Sequence, residues 1–130
     1  MILAIRTDSP TVYFKLFSKD GDEVGEQEWL AERRLARELL SALENFLEKN
    51  GADWEALTGL VVHAGPGSFT GLRIGITVMN TIAYAQELPI VGVTGDDWGR
   101  KGIDRLFNGE NDQMVLPEYG APARITSPRK

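Results

Sequence analysis

Three glycines spaced four residues apart, Gly67, Gly71 and Gly75, constrain this chain most. They punctuate Gly65-Pro66-Gly67-Ser68-Phe69-Thr70-Gly71-Leu72-Arg73-Ile74-Gly75, a stretch whose continuation is otherwise suited to a helix. At that spacing they line one helical face. Glycine inside a helix costs on the order of 1 kcal/mol against alanine, so such a row calls for a compensating close approach of another backbone. Met79 and Ala83 continue the face. Leu72, Ile74, Ile76, Val78, Met79, Ile82 and Ala83 nearly encircle the same helix, the pattern of an element buried on two sides. In a small domain one of those sides is open to a partner; the alternative is a helix packed wholly on its own sheet and neighbouring helix.

The remaining elements follow from periodicity and turn chemistry. Ile2 to Ile5 reads as a short buried strand, and Thr11 to Phe17 as a second. Lys19-Asp20-Gly21-Asp22 supplies a tight turn into a third strand over Glu23 to Trp29. From about Ala31 to Asn50, Leu35, Leu39, Leu43 and Phe46 recur with a second row of Ala36, Leu40 and Leu47, predicting a helix closed by Asn50-Gly51. Leu60 to Val62 is a strand, Ser68 to about Glu87 the glycine-bearing helix, and Pro89 to Val93 a final strand. An antiparallel meander followed by helix crossovers predicts one α/β domain with a mixed sheet, in keeping with 130 residues. Beyond Thr94 the composition turns polar, and Ile103, Leu106 and Phe107 suggest one short helix before a Pro-punctuated, mildly basic tail. The expected division is therefore 1–94 for the domain and 95–130 for a short helix and tail.

Composition excludes several chemistries. There is no cysteine and one histidine, His63, which removes thiol catalysis and the usual zinc centre. No metal or cofactor is expected. The net charge of −5 disfavours unaided binding of nucleic acid, which rests on clustered Lys and Arg. The opening Met1-Ile2-Leu3-Ala4-Ile5-Arg6 has neither a basic n-region nor a span-length apolar run, so a cytoplasmic protein with no membrane association is expected.

Both nucleotide-loop fingerprints fail in the glycine segment: there is no lysine for a P-loop, and Thr70 stands where G-x-G-x-x-G needs its last glycine. Ser68 and Thr70 at the helix start, with Arg73 in the first turn, could hold an anion on free N–H groups; simple capping is the plainer role. His63 lies five residues before Ser68, yet nothing nominates the carboxylate and oxyanion hole of a serine hydrolase. The pairs Asp96/Asp97 and Glu110/Asp112 lie in polar stretches typical of solvated loops. In the first helix Arg33, Arg34 and Arg37 crowd the start and Glu44 and Glu48 the end, opposing the helix dipole. Two copies packed antiparallel about a two-fold axis would pair each basic end with an acidic one, which predicts a homodimer in isolation.

The run Gly65 to Ile76, with Leu60-Val61-Val62 before it and Leu88-Pro89-Ile90-Val91-Gly92-Val93 after it, resembles the TsaB (YeaZ) family of tRNA threonylcarbamoyladenosine biosynthesis subunits. The likeness covers roughly the first three-quarters of the chain, and Pro117-Glu118-Tyr119 resembles the family's closing segment. It implies an actin-like ATPase (ribonuclease-H-like) fold in a non-catalytic scaffold subunit. Such a subunit supports TsaD, the enzyme that transfers threonylcarbamoyl to adenosine 37 of tRNA. TsaE is a further possible partner, and tRNA is met only indirectly, with Arg124, Arg129 and Lys130 able to graze a phosphate backbone. In the family the subunits join through their first two helices. The interface expected here is Arg33, Leu39 and Leu43 on the first helix with Gly67, Gly71, Gly75, Met79 and Ala83 on the second.

Two departures qualify that expectation. Arg6-Thr7-Asp8-Ser9 replaces an Asp-Thr-Ser-like turn, so arginine stands at an acidic metal-phosphate position. After Thr94 about 35 residues stand where the family carries a second domain, which makes this a shortened form and 95–130 a remnant of that domain. Both favour a scaffold over the alternatives, a small peptidase-like enzyme or residual nucleotide hydrolase, and a self-contained homodimeric binding protein.

Overall fold

The computed structural model describes residues 1–67 and 69–118, with Phe69 described by its backbone alone. Ser68, Tyr119, Arg124, Arg129 and Lys130, which carry parts of the expectations above, lie outside the described residues.

Five strands form one sheet in the order β3-β2-β1-β4-β5. They are β1 (Ile2–Arg6), β2 (Thr11–Phe17), β3 (Glu23–Leu30), β4 (Gly59–His63) and β5 (Ile90–Val93). β1 lies at the centre, which is why its apolar residues run without alternation: it is covered on both faces. It pairs antiparallel with β2, Leu3 opposite Leu16, and parallel with β4, Leu3 beside Leu60. The β2–β3 hairpin turns where predicted: Gly21 takes φ 90° and donates to the Ser18 carbonyl at 2.9 Å.

Helices α1 (Leu35–Lys49) and α2 (Phe69–Gln86) cover one face, and α3 (Trp98–Phe107) covers part of the other. The larger core joins Leu3, Ile5, Val12, Phe14, Leu16, Leu60 and Val62 of the sheet to Leu39, Leu43 and Phe46 of α1 and Leu72, Ile76 and Met79 of α2. Phe14 anchors it, with its ring centroid 5.5 Å from Phe46 and 6.3 Å from Trp29. A 3-10 turn, Glu32–Arg34, precedes α1, so the regular helix begins four residues later than the apolar period suggests. Of the second apolar row of α1 only Leu47 is buried; Ala36 and Leu40 face outward.

The second face gathers Ile2, Ala4, Phe17, Val61, Val91 and Val93 under Trp98 and Ile103. Gly102 lets α3 settle on Val61, whose methyls would overlap any Cβ there. The chain then runs back along β5 and closes that edge of the sheet. Asn111 Oδ1 accepts from the Ile90 N–H at 3.1 Å, and Asp112 Oδ2 accepts from the Gly92 N–H at 2.9 Å. The Asn80 amide grips Val115 in both directions, at 3.0 and 2.9 Å, and Val115 enters the larger core. Packing is thus continuous across Thr94, where composition suggests a division. Among the described residues no helix is long and apolar enough to cross a membrane.

Candidate partner-binding face

The turn after β1 explains the glycine row. Thr7 is fully buried, and its hydroxyl donates to the Gly71 carbonyl at 2.8 Å. A Cβ on Gly75 would collide with the same hydroxyl, and one on Gly67 would collide with the Asp8 side chain. The close backbone approach that the glycines demand is therefore the approach of α2 to the β1–β2 turn of its own domain. This corrects the expected interface. Gly75, Met79 and Ala83 are buried inside the domain because they face β1 and the core, and Leu39 and Leu43 are fully buried for the same reason. Among the residues expected to meet a partner, Arg33 and Gly67 are exposed and Gly71 half-buried.

The outward sides of the same two helices tell a different story. Leu40 of α1 is 51% exposed and Tyr84 of α2 is 89% exposed, while Ile74 and Val78 are half-buried between them and solvent. Two adjoining hollows of about 490 and 390 Å³ share Ala36, Thr70 and Ile74. The first continues to Ser9, Pro10, Glu32 and Arg33, the second to Arg73, Thr77 and Val78. Thr70 and Arg73, two of the expected anion-holding residues, thus share a groove wall; Ser68 lies outside the described residues. Ala36, Leu40 and Tyr84 went unrecognised as surface residues. The available signal was the breadth of the apolar coverage around both helices, wider than a single core-facing stripe requires.

At the carboxyl ends of β1 and β4 lies a compact polar cluster. Arg6, at the position the resemblance makes acidic, grips Asp8 with two bonds, Nε to Oδ1 at 2.7 Å and Nη2 to Oδ2 at 3.1 Å. Burial alone would raise the Asp8 pKa; the hydrogen bonds and charge of Arg6 overcome this and hold it below the usual carboxylate value. His63 is 2% exposed, accepts the Gly65 N–H on Nδ1 at 3.3 Å, and meets Trp98 edge-on with centroids 6.2 Å apart. Burial, reinforced by the Arg6 charge, lowers its pKa and outweighs the opposing charges of Asp8 and Asp96. The ring is consequently neutral near pH 7, and the Asp8 carboxylate is engaged by Arg6. Asp112 is held in its charged form in the same manner by Arg105, which also bonds Glu110 at 2.7 Å. That second cluster fastens the returning segment to β5.

Comparison with known proteins places this geometry in a context. Residues 29–95 match the family model for TsaD: tRNA N6-adenosine threonylcarbamoyltransferase. The chain is 34% identical over 91 residues to the tRNA threonylcarbamoyladenosine biosynthesis protein TsaB of Escherichia coli, covering 65% of this chain and 39% of that protein. It is 31% identical over 93 residues to TsaB of Bacillus subtilis, covering 72% of this chain and 40% of the relative. The chain thus spans about two fifths of the length of these two TsaB relatives. Among solved structures, YeaZ from Pseudomonas aeruginosa superposes with a TM-score of 0.65 at 28% identity, over 72% of this chain and 43% of that one. The fold is the actin-like ATPase, ribonuclease-H-like, fold.

Proposed function

Since the chain belongs to the TsaB (YeaZ) family, we propose that it is a non-catalytic subunit in the biosynthesis of threonylcarbamoyladenosine in tRNA, serving as a scaffold that binds and supports TsaD. The observation that carries the reading is the outward side of α1 and α2. Ile74 and Val78 line a groove above a core that is already filled, and Leu40 stands exposed on α1. Large apolar groups left at the surface beside a groove are what a partner helix covers. The pairing of Arg6 with Asp8 supports the non-catalytic part, because it sets a cation where an acidic metal-phosphate ligand would stand. A neutral His63 whose nearby carboxylate is already bonded to Arg6 gives no support to a peptidase-like or nucleotide-hydrolysing alternative. The role of tRNA is indirect in this proposal, and TsaE is a secondary partner.

A homodimer in isolation is a second reading with its own observation. Arg37, Leu40, Glu44 and Glu48 are all exposed along α1, and Arg33 is exposed in the 3-10 turn before it. With the two-fold axis beside Leu40 and Ser41, an antiparallel copy would set Arg37 opposite Glu44 and Arg33 opposite Glu48.

Light-scattering chromatography of this chain, alone and mixed with the TsaD of the same genome, tests both readings. The expected result is a mixed complex that Leu40→Arg with Ile74→Arg abolishes while circular dichroism is unchanged. A folded wild-type chain that never co-elutes with TsaD would overturn the scaffold reading, and a monomer at high micromolar concentration would overturn the homodimer.

A further inference from the structure

The charge on the docking groove does not follow the charge on the molecule. The chain carries a net charge of −5, yet the groove is lined by two arginines, Arg33 and Arg73, against one glutamate, Glu32, while Arg34, Arg37 and Glu38 follow Arg33 along the chain around the start of α1. Glu38 lies 3.6 Å from Arg34 and 3.5 Å from Arg37, so those cations are partly neutralised. Arg33 and Arg73 have no carboxylate within ion-pair distance among the described residues. Each lines one of the two adjoining hollows, which meet at Ala36, Thr70 and Ile74. One carboxylate, Glu32, lines the Arg33 hollow without pairing with it. The result is an apolar floor with an unneutralised guanidinium at either end.

We propose that this groove is a cation-flanked seat for a partner surface that brings an apolar ridge with carboxylates on both sides, placed to meet Arg33 and Arg73. The inference rests on the docking reading above and deepens it by stating what the partner must present. Guanidinium groups suit the task because their planar donors take a carboxylate two bonds at a time, and a net-positive seat on a net-negative protein orients an acidic partner before contact. The apolar floor supplies affinity; the two arginines select which surface may use it.

The binding of TsaD to this chain, followed by calorimetry across a salt series, is the test. Wild-type affinity is expected to weaken about tenfold between low and physiological salt, as charge pairing at a rim predicts. The double reversal Arg33→Glu with Arg73→Glu is expected to weaken binding tenfold or more at low salt and to flatten the salt dependence. The double replacement by lysine, which keeps the charge but not the paired donors, is expected to keep the salt dependence while losing part of the affinity. Both side chains are exposed, so the fold is expected to survive, and circular dichroism checks it. Reversal variants that bind within twofold of wild type, with the salt slope unchanged, would overturn the cationic seat. If Ile74→Arg still abolishes binding in that case, the docking face stands without it. If Ile74→Arg binds like wild type, or TsaD does not bind the wild type, the docking reading falls and takes the cationic seat with it.

Discussion

Helices α1 and α2 lie side by side on one face of the sheet but are built on different plans. α1 is conventionally amphipathic: Leu35, Leu39, Leu43, Phe46 and Leu47 point inward, and charged residues occupy most of the rest. α2 is apolar over much of its circumference, with its inward side pressed against the β1–β2 turn and its outward side half-covered. The first helix is held by the volume of its side chains alone; the second adds to its buried Leu72, Ile76 and Met79 a close approach to the turn that the bare Gly75 permits. On the other side of α2, Ile74 and Val78 line the groove. Thus the glycine row and the outward groove lie on opposite sides of one helix.

Three substitutions should separate the plans. The largest effect is expected for Phe46→Ala on α1, which empties a fully buried site against Phe14 and should destabilise the domain by about 3–5 kcal/mol in chemical denaturation. The next is Gly75→Leu on α2, where two effects compete. Leucine favours a helix over glycine by about 0.8 kcal/mol, but its Cβ would strike the Thr7 hydroxyl and break the bond to the Gly71 carbonyl. Overpacking of that kind costs about 1–3 kcal/mol and the lost hydrogen bond about 1 kcal/mol more, so after the helix gain a net loss of about 2 kcal/mol is expected, read as a lowered midpoint. Thr77→Leu on the outward side of the same helix should leave the midpoint nearly unchanged. Were Gly75→Leu to keep its full stability and lose only a partner, the glycine row would belong to the interface after all.

Much of the fold was legible because local chemistry and tertiary placement agree. The stripe of α1, the Gly21 turn and the uninterrupted apolar run of β1 each have a cause within a few residues. The glycine row was legible as a demand for close approach, but its other half is Thr7, some sixty residues away, and no local pattern names it. Proximity in sequence therefore could not decide between a partner and the chain's own turn. The same holds for the surface. Leu40 and Ala36 fit a helical period as well as Leu39 does, and only the position of α2 decides which of them is covered. The role of the segment after Thr94 was hidden by its polar composition. Two apolar side chains, Trp98 and Ile103, with Gly99 and Gly102 allowing close contact, suffice to cover part of a sheet face, and Asn111 and Asp112 close its edge with side-chain hydrogen bonds in place of a strand.

The plans should also differ in their response to acid, the smallest of the expected effects. The inner face of α1 is apolar, whereas the entry to α2 leans on Asp8, held by Arg6, and on the Gly65 N–H, which His63 accepts. The His63 pKa is lowered in the folded chain, chiefly by burial and then by the Arg6 charge, so between the folded and unfolded values the unfolded chain binds the extra proton. Stability is then unaffected above the ordinary histidine pKa of about 6.5 and declines as pH falls below it. The Asp8 pKa is also lowered, because Arg6 overcomes the burial that would raise it; its contribution is present above the ordinary aspartate range and is lost only as pH falls through and below that range. Two separate acid limbs are expected in the melting temperature. His63→Asn, which can still offer an acceptor to the Gly65 N–H but takes up no proton, should flatten the first limb and leave the second. Hydrogen exchange resolved by segment sharpens the comparison: on mild acidification, amides at the start of α2 should lose protection before those in the middle of α1. Simultaneous loss in both helices would mean that the charge cluster supports the whole domain and that the two attachments act as one.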